Sequence, residues 1–181
     1  QGIGLNVTDK VMAEEVKEEA IQTLSYALTY AKMGSWKIDF EEQGIFLSNE
    51  FNALLVIEDE GKEKMSLQAF ADEFVVPEDL AWVKDRFGEI LLNRNNIGFE
   101  ASFSFRVITR HGWMRYLFLK GTVMDANGCF GIAQDITAQK ESENALINSE
   151  QKFRLLAENS EDIISVHAAD GTVWYLSPSV T

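Results

Sequence analysis

Phe99-Glu100-Ala101-Ser102-Phe103-Ser104-Phe105-Arg106-Val107 reads as a β-strand with one apolar and one polar face. Phe99, Ala101, Phe103, Phe105 and Val107 fall on one side, and Glu100, Ser102, Ser104 and Arg106 on the other, the period-two pattern of a half-buried strand. His111-Gly112 turns the chain into Trp113 to Val123, and Asn127-Gly128, a tight-turn pair, leads into Cys129 to Ile136. Three strands joined by turns this short are antiparallel.

Working back from this run, Pro77-Glu78-Asp79 is a helix start: proline suits the first position and the acids favour the positive end of the dipole. Leu80, Val83, Phe87 and Ile90 then share one face as far as about Asn93, and Asn95-Asn96 with Gly98 mark the exit. Ser66 opens a shorter helix with Leu67, Phe70 and Phe74, after a charged loop from Glu58 to Lys64. Ser48 or Asn49 caps a short helix holding Phe51, Leu54 and Leu55. Upstream the period is two again: Trp36, Ile38 and Phe40 alternate with Ser35, Lys37 and Asp39, and Gln43-Gly44 turns into Ile45-Phe46-Leu47. Two strands, short helices, one longer helix and three strands predict an α+β domain on one five-stranded antiparallel sheet.

Helices flank this domain. From Thr8 to Ala31, Ala13, Val16, Ala20, Leu24, Ala27 and Ala31 recur at steps of three and four behind the capping pair Thr8-Asp9. That narrow stripe suits either a helix–helix seam or packing against the domain itself. Beyond Thr137 the chain is helical from Ala138 to about Glu158, with Ile136, Leu146, Phe153 and Ala157 near a/d heptad positions. Asp162 to Val166 and Thr172 to Ser177 then flank Ala169-Asp170-Gly171 as a second hairpin. The organisation is a lead-in over 1–32, a domain over 33–137, a linker helix over 138–160 and an isolated hairpin over 161–181. Such a hairpin is marginal in water and is therefore expected to be disordered, docked, or paired with another chain.

Composition narrows the function. A net charge of −13 disfavours nucleic acid, whose phosphates demand clustered Lys and Arg, and direct contact with an anionic membrane. The single cysteine, Cys129, requires no oxidising compartment, and no run is apolar enough to span a bilayer. Gln1-Gly2-Ile3 shows neither an initiating Met nor a signal-peptide pattern and reads as a cut end, so a cytoplasmic location is expected, in a parent protein that is free to carry an anchor elsewhere. His111 and His167 have no Ser, Cys or paired carboxylate at a catalytic spacing, and one Cys with two distant His is a poor metal inventory. No catalytic and no metal residue is expected, and Glu14-Glu15, Glu18-Glu19 and Glu41-Glu42 read as solvated faces.

From Met33 to Leu146 the landmarks resemble the PAS family, in the branch with a C-terminal PAC motif. They are Gly34-Ser35-Trp36-Lys37-Ile38-Asp39, Ser48 before Phe51, Val76-Pro77-Glu78-Asp79, Phe99-Glu100 and Phe105-Arg106-Val107. They continue through Gly112 with Arg115-Tyr116, Asp125 with Gly128, Gly131 with Asp135-Ile136-Thr137, and the tail Gln139-Lys140-Glu141 with Glu143 and Leu146. Gln151 to Ser160, Asp162-Ile163-Ile164, Asp170-Gly171 and Tyr175-Leu176-Ser177-Pro178-Ser179 look like the approach and first hairpin of another copy. Ser104 and Tyr116 depart from the Glu and Trp common at those places, so no salt bridge is carried over to Arg106.

The resemblance implies a sensory or relay module of a larger signalling protein, such as a histidine kinase or a cyclic-dinucleotide enzyme. Its effector domain would lie in the same polypeptide, and it would be a homodimer through the flanking helices. A ligand cavity would lie between sheet and helices, with Phe70, Phe74, Val83, Phe87, Phe103, Tyr116, Phe118 and Ile132 as candidate lining. The alternative is that these side chains fill their own core. Asp135, Ile136 and Thr137 are the candidate signal-transmission residues: Asp135 and Thr137 can satisfy backbone donors where the last strand becomes a helix. No cofactor is implied. Covalent flavin relatives carry a reactive Cys in an Asn-Cys-Arg-Phe context on a helix, whereas Cys129 follows Asn127-Gly128 at a strand turn. Haem relatives supply an axial His from the long helix, and Pro77 to Asn93 holds none. An unidentified small ligand remains compatible, and a ligand-free dimerisation and spacer module is the competing function.

Overall fold

The computed structural model describes residues 7–58, 64–158 and 165–176. It begins with helix α1 (Val7–Tyr30), followed by the hairpin β1 (Met33–Asp39) and β2 (Gly44–Leu47). Next come α2 (Asn49–Leu55), β3 (Lys64–Ser66), α3 (Leu67–Phe74) and α4 (Pro77–Leu92). The strands β4 (Glu100–Ile108), β5 (Met114–Asp125) and β6 (Gly128–Asp135) lead into α5 (Thr137–Glu158), and β7 (Ser165–His167) with β8 (Val173–Leu176) ends the described chain. The chain divides into two compact units, the first ending at Thr137 and the second starting at Ala138.

The α+β class and the antiparallel sheet stand, but the sheet has six strands in the order β3-β2-β1-β6-β5-β4 rather than five. The added strand is Lys64–Ser66, which pairs with β2 through Ile45 and Met65. Three residues are too few to show a period, so the sequence gives this strand no signature of its own. β1 pairs with β6, the first strand of the sheet with the last in sequence, and that pairing closes the architecture.

Local chemistry explains the element ends. The Ser48 side chain accepts from the N–H of Phe51 and caps α2, and Ser66 does the same for α3 through Ala69. Pro77 opens α4 as its sequence predicts. Asp125 Oδ1 accepts from the N–H groups of Asn127 and Gly128, so the tight turn is built on Ala126 and Asn127, with Gly128 already in β6. α2 ends with Val56 at φ 58°, ψ 45°, a left-handed conformation that strains a β-branched residue.

The sheet's inner face is covered by the short helices, and the largest fully buried side chains include Trp36, Phe51, Phe70, Phe74, Ile38 and Ile45. The indole of Trp36 lies across the sheet over two glycines: a Cβ on Gly121 or Gly131 would come within 2.4 or 2.5 Å of its ring. Its Nε1–H donates to the carbonyl of Ile132 at 2.9 Å, so the indole is buried with its polar edge satisfied. That arrangement inverts the size order along β6: Gly131 and Ala133 face inward, while Phe130 and Ile132 face out and are exposed.

The second unit contains most of α5 and the β7–β8 hairpin, whose register shifts between Val166 and His167. Asp162 to Ile164 and Ser177, which the sequence reading assigns to this hairpin, lie outside the described residues, as do 59–63 of the charged loop.

Candidate functional site

The candidate pocket residues separate onto two faces. Phe70, Phe74, Val83, Phe87 and Phe103 are buried between sheet and helices. Phe70 meets Phe51, Phe74 and Phe87 at ring distances of 6.2, 5.8 and 6.1 Å, and Phe87 meets Phe103 at 5.9 Å. These mostly edge-on contacts are the packing that aromatic rings prefer in a filled core. Tyr116, Phe118 and Ile132 are not with them. On β5 the buried residues are Leu117, Leu119 and Val123, so Tyr116 and Phe118 fall on the outer face, and Ile132 does so on β6. The candidates therefore do not line one cavity, a correction with a simple cause: Tyr116-Leu117-Phe118-Leu119 is apolar on both faces, so its alternation carries no phase.

Beside the core a cleft of about 380 Å³ opens between the β2–β3 edge and α3–α4, lined by Gln43, Leu67, Gln68, Lys84, Phe87, Gly88 and Leu91 among others. Of the candidates only Phe87 borders it. Gly88 sits in mid-helix with open space where a side chain would be, which leaves the cleft wall unfilled.

Asp135, Ile136 and Thr137 do converge at the junction where β6 becomes α5. Asp135 Oδ1 accepts from the Thr137 N–H at 2.9 Å and from its hydroxyl at 2.5 Å, and Thr137 Oγ1 accepts from the Tyr116 N–H at 3.0 Å. The Ile136 N–H donates to the Tyr116 carbonyl, and the Asp135 N–H to the carbonyl of Lys32, both at 2.9 Å. These bonds satisfy donors at the start of α5 that no helical carbonyl can reach. The junction thus fixes the residue at which the helix begins.

Several residues at this site carry no assignment from the sequence. Arg115 lies 3.5 Å from the Asp135 carboxylate and donates to the Leu54 carbonyl at 2.9 Å. It stands among the quoted landmarks, but its partner is 61 residues away and no local pattern announces the pairing. Arg106 finds Asp79, in α4, by a two-pronged contact of 2.6 and 3.0 Å, while its own N–H donates to the same carboxylate at 2.9 Å. The Arg106 guanidinium holds the Asp79 carboxyl below the usual carboxylate range. Val76 N–H and Asp79 together cover the outward groups of Arg106 on β4, the last strand of the sheet.

Cys129 is buried on the inner face near Gly121, and burial pushes its thiol up to about 11. His111 stacks edge-on with Trp113, and His167 lies 2.9 Å from the Ser165 hydroxyl. Among the described residues no three or more His, Cys, Asp or Glu side chains gather where they could hold a metal ion, and no helix is long and apolar enough to cross a membrane.

No protein-family model and no curated protein matches the chain. Among solved structures, a sensory box histidine kinase/response regulator from Burkholderia thailandensis is similar at TM-score 0.58 and 24% identity, over 74% of this chain and 98% of that one. The N-terminal domain of a diguanylate cyclase with a PAS/PAC sensor from Marinobacter aquaeolei gives 0.49 at 20% identity, over 60% and 98%. A PAS domain from Colwellia psychrerythraea gives 0.45 at 14%, over 66% and 98%. By its sheet, by the order of its elements and by the first of these likenesses, the chain has a PAS-type fold.

Proposed function

We propose that this chain is a sensory or relay module of a larger signalling protein, in which a change in the sheet-and-helix domain is passed to α5 and onward to an effector domain of the same polypeptide. The observation that carries the reading is the junction: Asp135 and Thr137 tie the first turn of α5 to the ends of β5 and β6, so a shift in those strands changes what the helix start is bonded to. The similar sensory box histidine kinase/response regulator is a precedent for such a setting. Replacing Asp135 by Ala removes the acceptor and is expected to raise amide exchange in the first turn of α5 by roughly fivefold, the scale of a lost helix cap. Unchanged exchange there would remove this reading.

The stimulus side of the proposal is a small ligand at the cleft beside Phe87, or none. Native mass spectrometry and an absorbance spectrum of the purified protein decide between them: added mass or a chromophore supports a ligand sensor. Two features favour the second reading, a ligand-free dimerisation and spacer module. The aromatic core is filled by its own side chains, and α1 exposes Val16 and Leu24 of the stripe that recurs at steps of three and four. A homodimer through the flanking helices would cover that stripe. Sedimentation equilibrium over a range of concentrations tests it, and a strict monomer rejects it.

A further inference from the structure

The exit junction is connected to more than the sheet. Arg115 Nη1 donates to the carbonyl of Leu54, in the last turn of α2, at 2.9 Å, and lies 3.5 Å from the Asp135 carboxylate. The last carbonyls of a helix have no partner within it and carry its negative end, so one guanidinium serves as the C-terminal partner of α2 and as the counter-ion of Asp135. At the other end of α2, the Ser25 hydroxyl of α1 donates to Glu50 Oε1 at 2.5 Å. Burial there pushes the Glu50 carboxyl up, but hydrogen bonds from Ser25 and Ser48 outweigh it and hold the group below its ordinary value. Among the described side chains of α1 only Ser25 and Leu28 are partly buried, so this contact is one of the few by which α1 grips the domain.

α2 is seven residues long, short enough to move as one piece, and it ends in the strained Val56. A segment held at both ends by side chains and closed by an imposed backbone angle has its position set by its surroundings. The geometry points to α2 as a relay by which α1 acts on the start of α5: from Ser25 to Glu50, along α2 to the Leu54 carbonyl, through Arg115 to Asp135 and Thr137. The inference rests on reading Asp135 and Thr137 as the exit junction. The backbone bond from the Asp135 N–H to the Lys32 carbonyl runs in parallel, and side-chain substitutions leave it in place.

A double-mutant cycle on the full chain tests the relay, read by hydrogen exchange in the first turn of α5. Ser25→Ala, more than a hundred residues away in sequence, is expected to raise exchange there by about threefold and Arg115→Gln by about fivefold, at and just below the lower end of the usual range of coupling between sites. The double variant should exchange no faster than Arg115→Gln alone, because the route is already cut. Unchanged exchange in Ser25→Ala, or effects that multiply in the double variant, would overturn the relay. If Arg115→Gln does not fold, as judged by its thermal transition, Arg115→Lys takes its place in the cycle with the same two criteria. Asp135→Ala separates the two levels: when it loosens α5 and Ser25→Ala does not, the relay fails and the junction stands. When neither loosens it, the junction reading fails first.

Discussion

The hairpins β1–β2 and β7–β8 are made of the same materials and reach opposite ends. Each carries a tryptophan among aliphatic residues, yet Trp36 is 2% exposed and Trp174 is 73% exposed. Around Trp36, the neighbouring Ile38, Ile45 and Leu47 are buried as well; around Trp174, Val173 and Leu176 are exposed, and Tyr175 is half-buried with its ring 5.7 Å from Phe153. The difference does not lie in strand propensity. β1–β2 is completed by β6, which arrives about a hundred residues later, and by α2 and α3, which cover its inner face. Among the described residues β7–β8 pairs only with itself. An apolar hairpin states a need for cover, and sequences far away decide whether the need is met.

The sharpest way to break this comparison is to remove the two tryptophans in turn. Trp36→Ala should cost about 3–5 kcal/mol in urea unfolding, because it empties the space above Gly121 and Gly131 and removes the indole's bond to the Ile132 carbonyl. A loss below about 1 kcal/mol would mean that the indole is not the centre of the sheet. A second, smaller effect concerns the opposite edge of the same sheet. Asp79 has its carboxyl held low by Arg106, so its contribution is complete above the ordinary aspartate value near about 4 and is lost as pH falls through the lowered folded value. Asp79→Asn should therefore flatten the acid side of the stability profile while leaving its shape near neutrality unchanged. An acid limb as steep as that of the parent chain would count against the pairing.

Smaller again is the strain that the complete domain tolerates. Val56→Gly should raise stability by about 0.5–1 kcal/mol, since glycine adopts the left-handed angle without a Cβ penalty. A loss instead would show that the Val56 side chain contributes more through packing than its backbone angle costs. Last, Trp174→Ala should change the unfolding free energy of the domain by less than about 0.5 kcal/mol, the value for an exposed position. A large shift would show that β7–β8 is part of the domain's own stability and would erase the contrast.

Much of this fold is legible in the sequence where pattern and size agree. Phe103, Phe105 and Val107 alternate with polar residues, and the strand is as read. Pro77, Ser48 and Ser66 mark helix starts because each satisfies or omits a specific backbone donor. Legibility fails where both faces are apolar or where one large side chain displaces others. Tyr116 and Phe118 alternate correctly with Leu117 and Leu119, but only the pairing of Phe103 with Leu119 and of Phe105 with Leu117 tells which pair faces inward. Phe130 and Ile132 are large and apolar, and they are turned out because the indole of Trp36 occupies the space beneath Gly131. At the junction, Asp135 and Thr137 are readable since their bonds are local, two residues apart. Arg115 and the Ser25–Glu50 contact are not, since they join segments that only the folded chain brings together.

The bond between the Asp135 N–H and the Lys32 carbonyl has a consequence for how such chains are assembled. Met33 lies opposite Gln134, so the polypeptide leaves the domain beside the place where it came in. A fold whose ends meet can be spliced into a longer polypeptide, or taken out of it, with little displacement of the segments on either side. Duplication of the whole unit then adds length in repeatable steps. The economy of such a gene product lies in the doorway, which is a few ångströms wide.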